Sequence, residues 1–457
     1  LPTSDAGAEA GSLSWAENFG LTGETYPQGV AIDPTSGAVV VTGYFLGTTN
    51  FGGGVLSSGD ASGNSAIFLT RFDAAGNYVW GLSFGDGSID AGVGVAIQAG
   101  GSIIATGLFD GSIDLGCGAM TAVGSDDIYV ASFTSAGACS WSEHFGAADQ
   151  GAAVDSIAVD GSGNIVLAGV AYGGLDFGGG TLNGYYLAKL NPTGGYIWSK
   201  AFDASSSDGD PLMTLDPSGN VVLAGTFNGD GDFGGGTLTS VSLTDVFVAK
   251  YSPAGQYMWA SQYGQGGDCS LEAVATDGCG DVVVAGNFGG GTGGSIDFGT
   301  GILTAPAYPN DDHVYFAKLD ANGAGVWAQQ FVAPGNLAVA TLSVDATGGP
   351  YLGGALSGSM TFGSSQYTGT QDNSAYLASF DQAGNFKWAI VGGAPSTATS
   401  SNLVAAAVAS GAVVGVGQFG NLPCSCTTSP PSTTLVLDDT TLAATSAGDL
   451  FMFSLSP

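Results

Sequence analysis

Basic residues are nearly absent from this chain of 457 residues: six Lys and Arg stand against 39 Asp and Glu, a formal net charge of −33. Nucleic acid is excluded as a partner, because phosphate binding needs clustered cations to release counterions. An anionic membrane surface is disfavoured for the same reason. Divalent cations, neutral glycans and basic proteins stay open, alongside the plainer reading that the acid solvates a Lys-poor exported chain. No run of about 18 apolar residues occurs, so no membrane span is expected. The chain lacks a starting Met and a signal peptide, so Leu1-Pro2-Thr3 reads as a mature or trimmed N-terminus. Its one Asn-x-Ser/Thr triplet, Asn191-Pro192-Thr193, is blocked by the central proline, which favours a bacterial source. The six cysteines, Cys117, Cys139, Cys269, Cys279, Cys424 and Cys426, fit no zinc spacing. An even count in an exported chain reads as disulfide staples with the pairing left open.

What is present is a repeat. Seven Trp residues, Trp15, Trp80, Trp141, Trp198, Trp259, Trp327 and Trp388, recur at spacings of 65, 61, 57, 61, 68 and 61. A period near 60 holds four strands and one long loop. In the first copy, Gly29 to Asp33 alternates like a short strand and Val39 to Phe45 reads as a strand buried on both faces. Asn50-Phe51-Gly52-Gly53-Gly54 lies in a Gly-rich loop, and strands Ala66 to Asp73 and Tyr78 to Phe84 flank the turn Ala74 to Asn77. No window has a helical period. The second strand carries Gly43, Gly107, Gly169, Gly225, Gly286, Gly354 and Gly417, read as close packing between neighbouring blades. The third carries Phe68, Tyr129, Tyr186, Phe247, Tyr315, Tyr376 and Phe451. With the Trp column, these rings supply the apolar area for burying blade on blade.

The chain begins on a fourth-type strand (Leu13 to Phe19) and ends on a third-type strand (Asp449 to Leu455). Pairing the two completes seven blades and closes the ring. The expected fold is therefore all-β, one seven-bladed β-propeller domain over 1–457 with four antiparallel strands per blade. Variation concentrates in the loop between second and third strands. There Asp114-Leu115-Gly116, Asp176-Phe177-Gly178, Asp232-Phe233-Gly234 and Asp297-Phe298-Gly299 echo Asn50-Phe51-Gly52, and the sixth copy reads Thr361-Phe362-Gly363. The seventh loop, Gly420 to Gly448, has lost the motif and holds Cys424 and Cys426. Variable loops on a rigid ring are where a binding surface lies.

Three runs in the fourth copy, Asp216 to Asn220, Asp232 to Leu238 and Asp245 to Lys250, resemble the SBBP family of seven-bladed propeller repeats in secreted bacterial proteins. The resemblance covers nearly the whole chain. It implies the fold and an exported location, and no shared chemistry.

The residues of common hydrolases do not assemble. Asp73 to Trp80 is similar to a sialidase Asp-box with different spacing, and one Arg, Arg71, cannot build a sialidase carboxylate clamp. Asp-Gly turns explain these strings. His144 and His313 fall on different blades, so they form neither a triad nor a metal pair. Gly81-Leu82-Ser83-Phe84-Gly85 lies along a strand with no helix after it and is no nucleophile elbow. Gly289 to Gly294 lacks the Lys and helix of a phosphate loop. Arg71, Lys189, Lys250 and Lys318 share a third-strand column, with Ser132, Ser379 and Ser454 in the other copies. Each cation is expected to pair with an Asp on the neighbouring blade, the sharper alternative being a ring that holds an anion. Calcium is the cofactor that Asp230, Asp232, Asp311 and Asp312 would suit, set against solvated loop acids without EF-hand spacing. No catalytic or cofactor-binding residue is assigned.

The expected function is a non-enzymatic extracellular or cell-surface protein, a scaffold or assembly subunit that binds a protein partner or itself. The alternative is a lectin-like glycan-binding module using the long loops. If the closure is right, deleting residues 1–20 strips the last blade and lowers the thermal stability clearly, whereas an unchanged melting curve refutes it.

Overall fold

The repeat folds as expected in a computed structural model, which describes residues 11–456 apart from 60–62, 149–150, 204–208, 290–292, 306–311, 332–336, 370–372, 393–399, 410, 421–433, 438–439 and 444–447. Cys424 and Cys426 lie outside the described residues. Blade 1 consists of Glu24–Ile32, Val39–Leu46, Ser65–Phe72 and Tyr78–Phe84, each antiparallel to the next. Five more blades repeat this order. Blade 7 joins Ser400–Ala409, Ala412–Gly420 and Asp449–Ser456 to the N-terminal strand Ser12–Phe19. Ser12 pairs with Ser456 and Phe19 with Leu450, so hydrogen bonds close the ring. The first strands of successive blades touch all the way round and line the axis, blade 7 meeting blade 1. The fold is an all-β seven-bladed propeller.

Why a ring forms follows from where the apolar residues sit. The second and third strands are buried on both faces, and the core divides into seven clusters that each span two neighbouring blades. At the closure, Val414, Val416, Leu450 and Met452 of blade 7 pack with Phe45, Phe68 and Phe72 of blade 1. A single blade would expose both faces, so stacking supplies the core.

The Trp column locks this stacking. In the fourth strands the register slips by one residue immediately before the Trp, as at Tyr78 and Trp80 opposite Phe72 and Arg71. The bulge turns the ring towards the next blade and breaks the outer edge. Trp80 Nε1 then donates to Ser135 O at 3.0 Å, Trp198 to Pro253 O at 3.2 Å, Trp259 to Ala321 O at 3.1 Å and Trp327 to Gln382 O at 3.1 Å. Each acceptor belongs to the next blade's turn between third and fourth strands. The indole lies flat against that turn's glycine: a Cβ at Gly255 would come within 3.1 Å of the Trp198 ring. Gly255 also has φ of 73°, where any other residue is strained. Trp388 has no such turn to meet and packs on Gly11 beside the closing strand.

The second-strand glycines serve another purpose than expected. A Cβ at Gly43 would lie 2.0 Å from Tyr26 O and 2.9 Å from the Phe68 ring, both in the same blade. Gly43 is opposite Phe68 in register, as Gly107 is opposite Tyr129 and Gly286 opposite Tyr315. The crowding is thus within each blade, between a bulged first strand and an aromatic lying across the glycine, and not between blades.

Gly255→Val should destabilise the protein by about 2–4 kcal/mol, combining left-handed strain with overpacking against Trp198. Trp198→Phe should cost about 1 kcal/mol for the lost hydrogen bond plus some packing. Urea melts of both variants check the order, and equal midpoints would refute it.

Candidate functional site

Antiparallel blades give the ring two unlike faces. The turns joining first to second and third to fourth strands share one face, and the longer connections share the other. On the turn face, Asp carboxylates close the loops on themselves: Asp73 Oδ1 accepts from the amides of Ala75 and Asn77, and Asp216 Oδ1 from Ser218 and Asn220. This is the Asx geometry expected from the sequence.

The cation column sits on this face and corrects the expected pairing. Lys189 bonds Asp160 at 2.8 Å, Lys250 bonds Asp216 at 2.9 Å and Lys318 bonds Asp277 at 2.8 Å, each partner lying in the same blade. Arg71 faces Asp33 of its own blade at 3.8 Å. The link to the neighbour is a hydrogen bond instead. Lys189 donates to Pro253 O at 3.0 Å, the carbonyl that also receives Trp198, and Arg71 shares Ser135 O with Trp80. Burial opposes the charge on Asp160, Asp216 and Asp277. The lysines and turn donors outweigh it and hold all three below the usual carboxylate range. With their cations engaged this way, these residues form a structural clasp.

The long segments between second and third strands fold as small hairpins pinned to the blade. The first motif residue caps the turn: Asp176 Oδ1 accepts from Gly178 and Gly180, and Asn50 Oδ1 does the same for Gly52 and Gly54. The second, such as Phe51, Phe177, Phe233 or Phe298, is buried. The middle glycine receives the residue two before the Trp: Gly53 meets Tyr78, Gly179 meets Tyr196 and Gly235 meets Tyr257. In blade 2 the same two positions are Cys117 and Cys139, joined as a disulfide. Cys269 is a free, buried thiol pushed up to about 12 by burial, and Cys279 is free and exposed, so neither is the staple expected of it.

Asp230 and Asp232 lie on the blade 4 hairpin. Asp230 Oδ1 accepts from Thr239 Oγ1 at 2.6 Å, and Asp232 Oδ1 caps the turn at Gly234 and Gly236. Asp311 lies outside the described residues, and Asp312 opens the third strand of blade 5. Among the described residues, no three His, Cys, Asp or Glu are grouped to hold a metal. Beside this hairpin is a groove of about 410 Å³, lined by Lys200, Ala201, Phe202 and Asp203 of blade 3 and Asp232, Gly234, Tyr251 and Tyr257 of blade 4.

Two acids near the loop face went unnoticed in the sequence. Asp90 is fully buried at the start of blade 2, and neither of its oxygens has a hydrogen-bond partner; nor does the buried Tyr129 hydroxyl nearby. Burial first, then the charge of Asp86, push Asp90 up to about 7. The amides of Asp86 and Asp110 favour its charged form but stand outside hydrogen-bonding geometry. Asp155, in the bulge of the first strand of blade 3, is pushed up to about 8 by burial and then by Asp210. The histidines stay apart as expected. His144 Nδ1 meets buried Asp127 at 2.7 Å, a pairing that residues 17 apart on adjacent strands do not advertise. His313 is buried in blade 5. Gly81 to Phe84 is plain outer strand.

No family model matches the chain. Over 123 residues it is 24% identical to an uncharacterized WD repeat-containing protein of Acanthamoeba polyphaga mimivirus, a match covering 23% of this chain and only 9% of that protein. Similar solved structures include Sqt1 from Chaetomium thermophilum (TM-score 0.38, 12% identity, 89% of this chain and 85% of that one). They also include an ulvan lyase with bound saccharide (TM-score 0.44, 10% identity, 96% and 95%) and a puromycin hydrolase (TM-score 0.42, 12% identity, 90% and 52%). What holds of the SBBP resemblance is the seven-bladed propeller with a WD-repeat-like relative. The expectation of a non-enzyme is corrected, since lyases and a hydrolase are built on propellers and the fold leaves catalysis open. At these scores the likeness assigns no reaction to this chain.

The buried acids make stability depend on pH. The native state holds protons on Asp90 and Asp155 that the unfolded chain releases near pH 4. Their contribution is therefore full below about pH 4 and lost as pH rises through 7 and 8. The slope is about 1.4 kcal/mol per pH unit for each proton. Asp90→Asn should flatten the fall in melting temperature between pH 5 and 8 and stabilise the protein at pH 8. An unaltered profile would remove Asp90 as its source.

Proposed function

We propose that the chain is an interaction scaffold working outside the cytoplasm, which assembles through its loop face. The distribution of exposed apolar side chains carries this reading. Among the described residues, Ile89, Val123, Tyr172, Val241 and Leu243 stand on the loop face, Leu243 at 71% exposure, and none of comparable size is exposed on the turn face. The others, such as Val79, Ile197, Met258 and Val326, lie on the rim. Apolar tips gathered on one face suit a contact surface. A propeller is a fitting platform for one, because the loops vary while the ring stays fixed. The Cys117–Cys139 disulfide supports an oxidising compartment.

Electrostatics sets the condition for assembly. Four of the six basic residues are engaged on the turn face, whereas Asp86, Asp90, Asp110, Asp126, Asp210 and Asp230 lie towards the loops. Two such faces repel unless a divalent cation or a basic partner lies between them. Calcium, with Asp230 and Asp232 among its carboxylates, is the cation this proposal takes.

Light scattering after size exclusion, in calcium and in chelator, tests the reading. Defined oligomers are expected in calcium and monomers in chelator, with the double variant Val241→Asp, Leu243→Asp monomeric in both. A wild-type monomer in both buffers would count against it.

A further inference from the structure

The groove between blades 3 and 4 lies on the rim and shares only Asp232 with the loop-face reading. Its walls are held firmly. The Asp232 amide donates to Asp203 O at 3.3 Å, which ties the blade 4 hairpin to the end of the blade 3 outer strand. This sets the two residues beside each other on opposite walls, with the Asp232 carboxylate held by its turn cap. Tyr251 is buried, and its hydroxyl donates to Phe233 O at 2.7 Å. Tyr257 meets it edge-on, with ring centroids 6.4 Å apart, and rests on Gly234 and Gly235 while staying 39% exposed. Lys200 lays its stem on Gly255 and, among the described residues, has no carboxylate within ion-pair distance.

The hollow thus offers one immobilised aromatic ring, two carboxylates and one ammonium in a volume of about 410 Å³, the size of a small-molecule site. A phosphate or a uronate would meet two negative charges. A basic side chain would meet Lys200. A neutral pyranose meets neither obstacle: its axial C–H face stacks on a tyrosine, its hydroxyls donate to carboxylates, and an ammonium donates to its oxygens.

We infer that this groove is a binding subsite for a neutral hexose unit of a glycan. Tyr257 is the platform, Asp203 and Asp232 accept from hydroxyls, and Lys200 donates. The other interfaces hold only parts of the set. Glu17 with Asn50 and Tyr78, and Glu143 with Asp176 and Tyr196, keep the ring but replace the ammonium with a carboxylate. Between blades 4 and 5 the ring is gone, because Gly325 stands at its position, and between blades 1 and 2 the disulfide occupies it. Between blades 5 and 6 Gln329 and Phe386 stand in the places of Lys200 and Tyr257, and between blades 6 and 7 Ile390 and Leu13 do, so among the described residues one site is complete.

Saturation-transfer NMR with cellopentaose, mannopentaose and galactopentaose, and with a galacturonate pentamer for contrast, tests this inference. Two substitutions have counterparts within the ring. Tyr257→Ala approaches Gly325 of blade 5, and Asp232→Asn recreates the turn cap that Asn50 makes in blade 1. At least one neutral pentamer should bind. Tyr257→Ala should weaken it about tenfold, the loss of one stacking contact, with some loss of melting temperature from the hairpin it pins, and Asp232→Asn several-fold with an unchanged melting temperature. Failure of all three neutral sugars, binding of the galacturonate alone, or wild-type affinity in Tyr257→Ala would each overturn the inference.

Discussion

A flat indole on a glycine turn is the contact on which the ring depends. Each blade is a sheet with two apolar faces, so its stability rests on the register with which it meets its neighbours. Shape complementarity between sheets alone would permit sliding. At five interfaces the Trp hydrogen bond to a single carbonyl of the next blade fixes one point. The bulge before the Trp, the positive φ of the turn glycine and the Asx cap that shapes the turn all serve that one point. The lysines converge on the same carbonyls from beneath.

That convergence has an electrostatic consequence. A chain with six basic residues commits four of them to holding turns, and their partner acids lie on the same face. The opposite face keeps its carboxylates without compensating cations. Both its charge and its apolar tips thus follow from a division of labour between the two ends of the strands. One end is repetitive because it builds the ring, and the other varies because the ring does not need it.

The repeat made most of the architecture readable. A Trp period near 60 and the mismatch of strand types at the two ends were enough to infer seven blades and the closing pair. Residues whose role depends on the third dimension were harder to read. Gly43 announces crowding, but not that the crowding comes from Tyr26 and Phe68 of its own blade. Lys250 announces a buried cation, but its nearest acid proved to be Asp216, two strands away in the same sheet. The groove was concealed because its walls come from two repeats: aligning the copies separates Asp203 from Asp232, although their backbones touch. The Cys117–Cys139 bridge, by contrast, could have been found by alignment. Cys117 falls in the column of Gly53, Gly179 and Gly235, and Cys139 in that of Tyr78, Tyr196 and Tyr257.

That pair of columns has a meaning for how such a ring can change over generations. The hairpin pin is satisfied by Gly with Tyr, by Cys with Cys or by Thr300 with Gly325, but not by Tyr opposite Thr, which would overlap. Where a tyrosine covers the glycine, replacing the glycine alone is penalised until the tyrosine changes too, and both lie within one blade. Each copy therefore drifts as a coupled pair of residues, independently of the six others. A duplicated unit can in this way acquire a private surface while the ring around it stays the same.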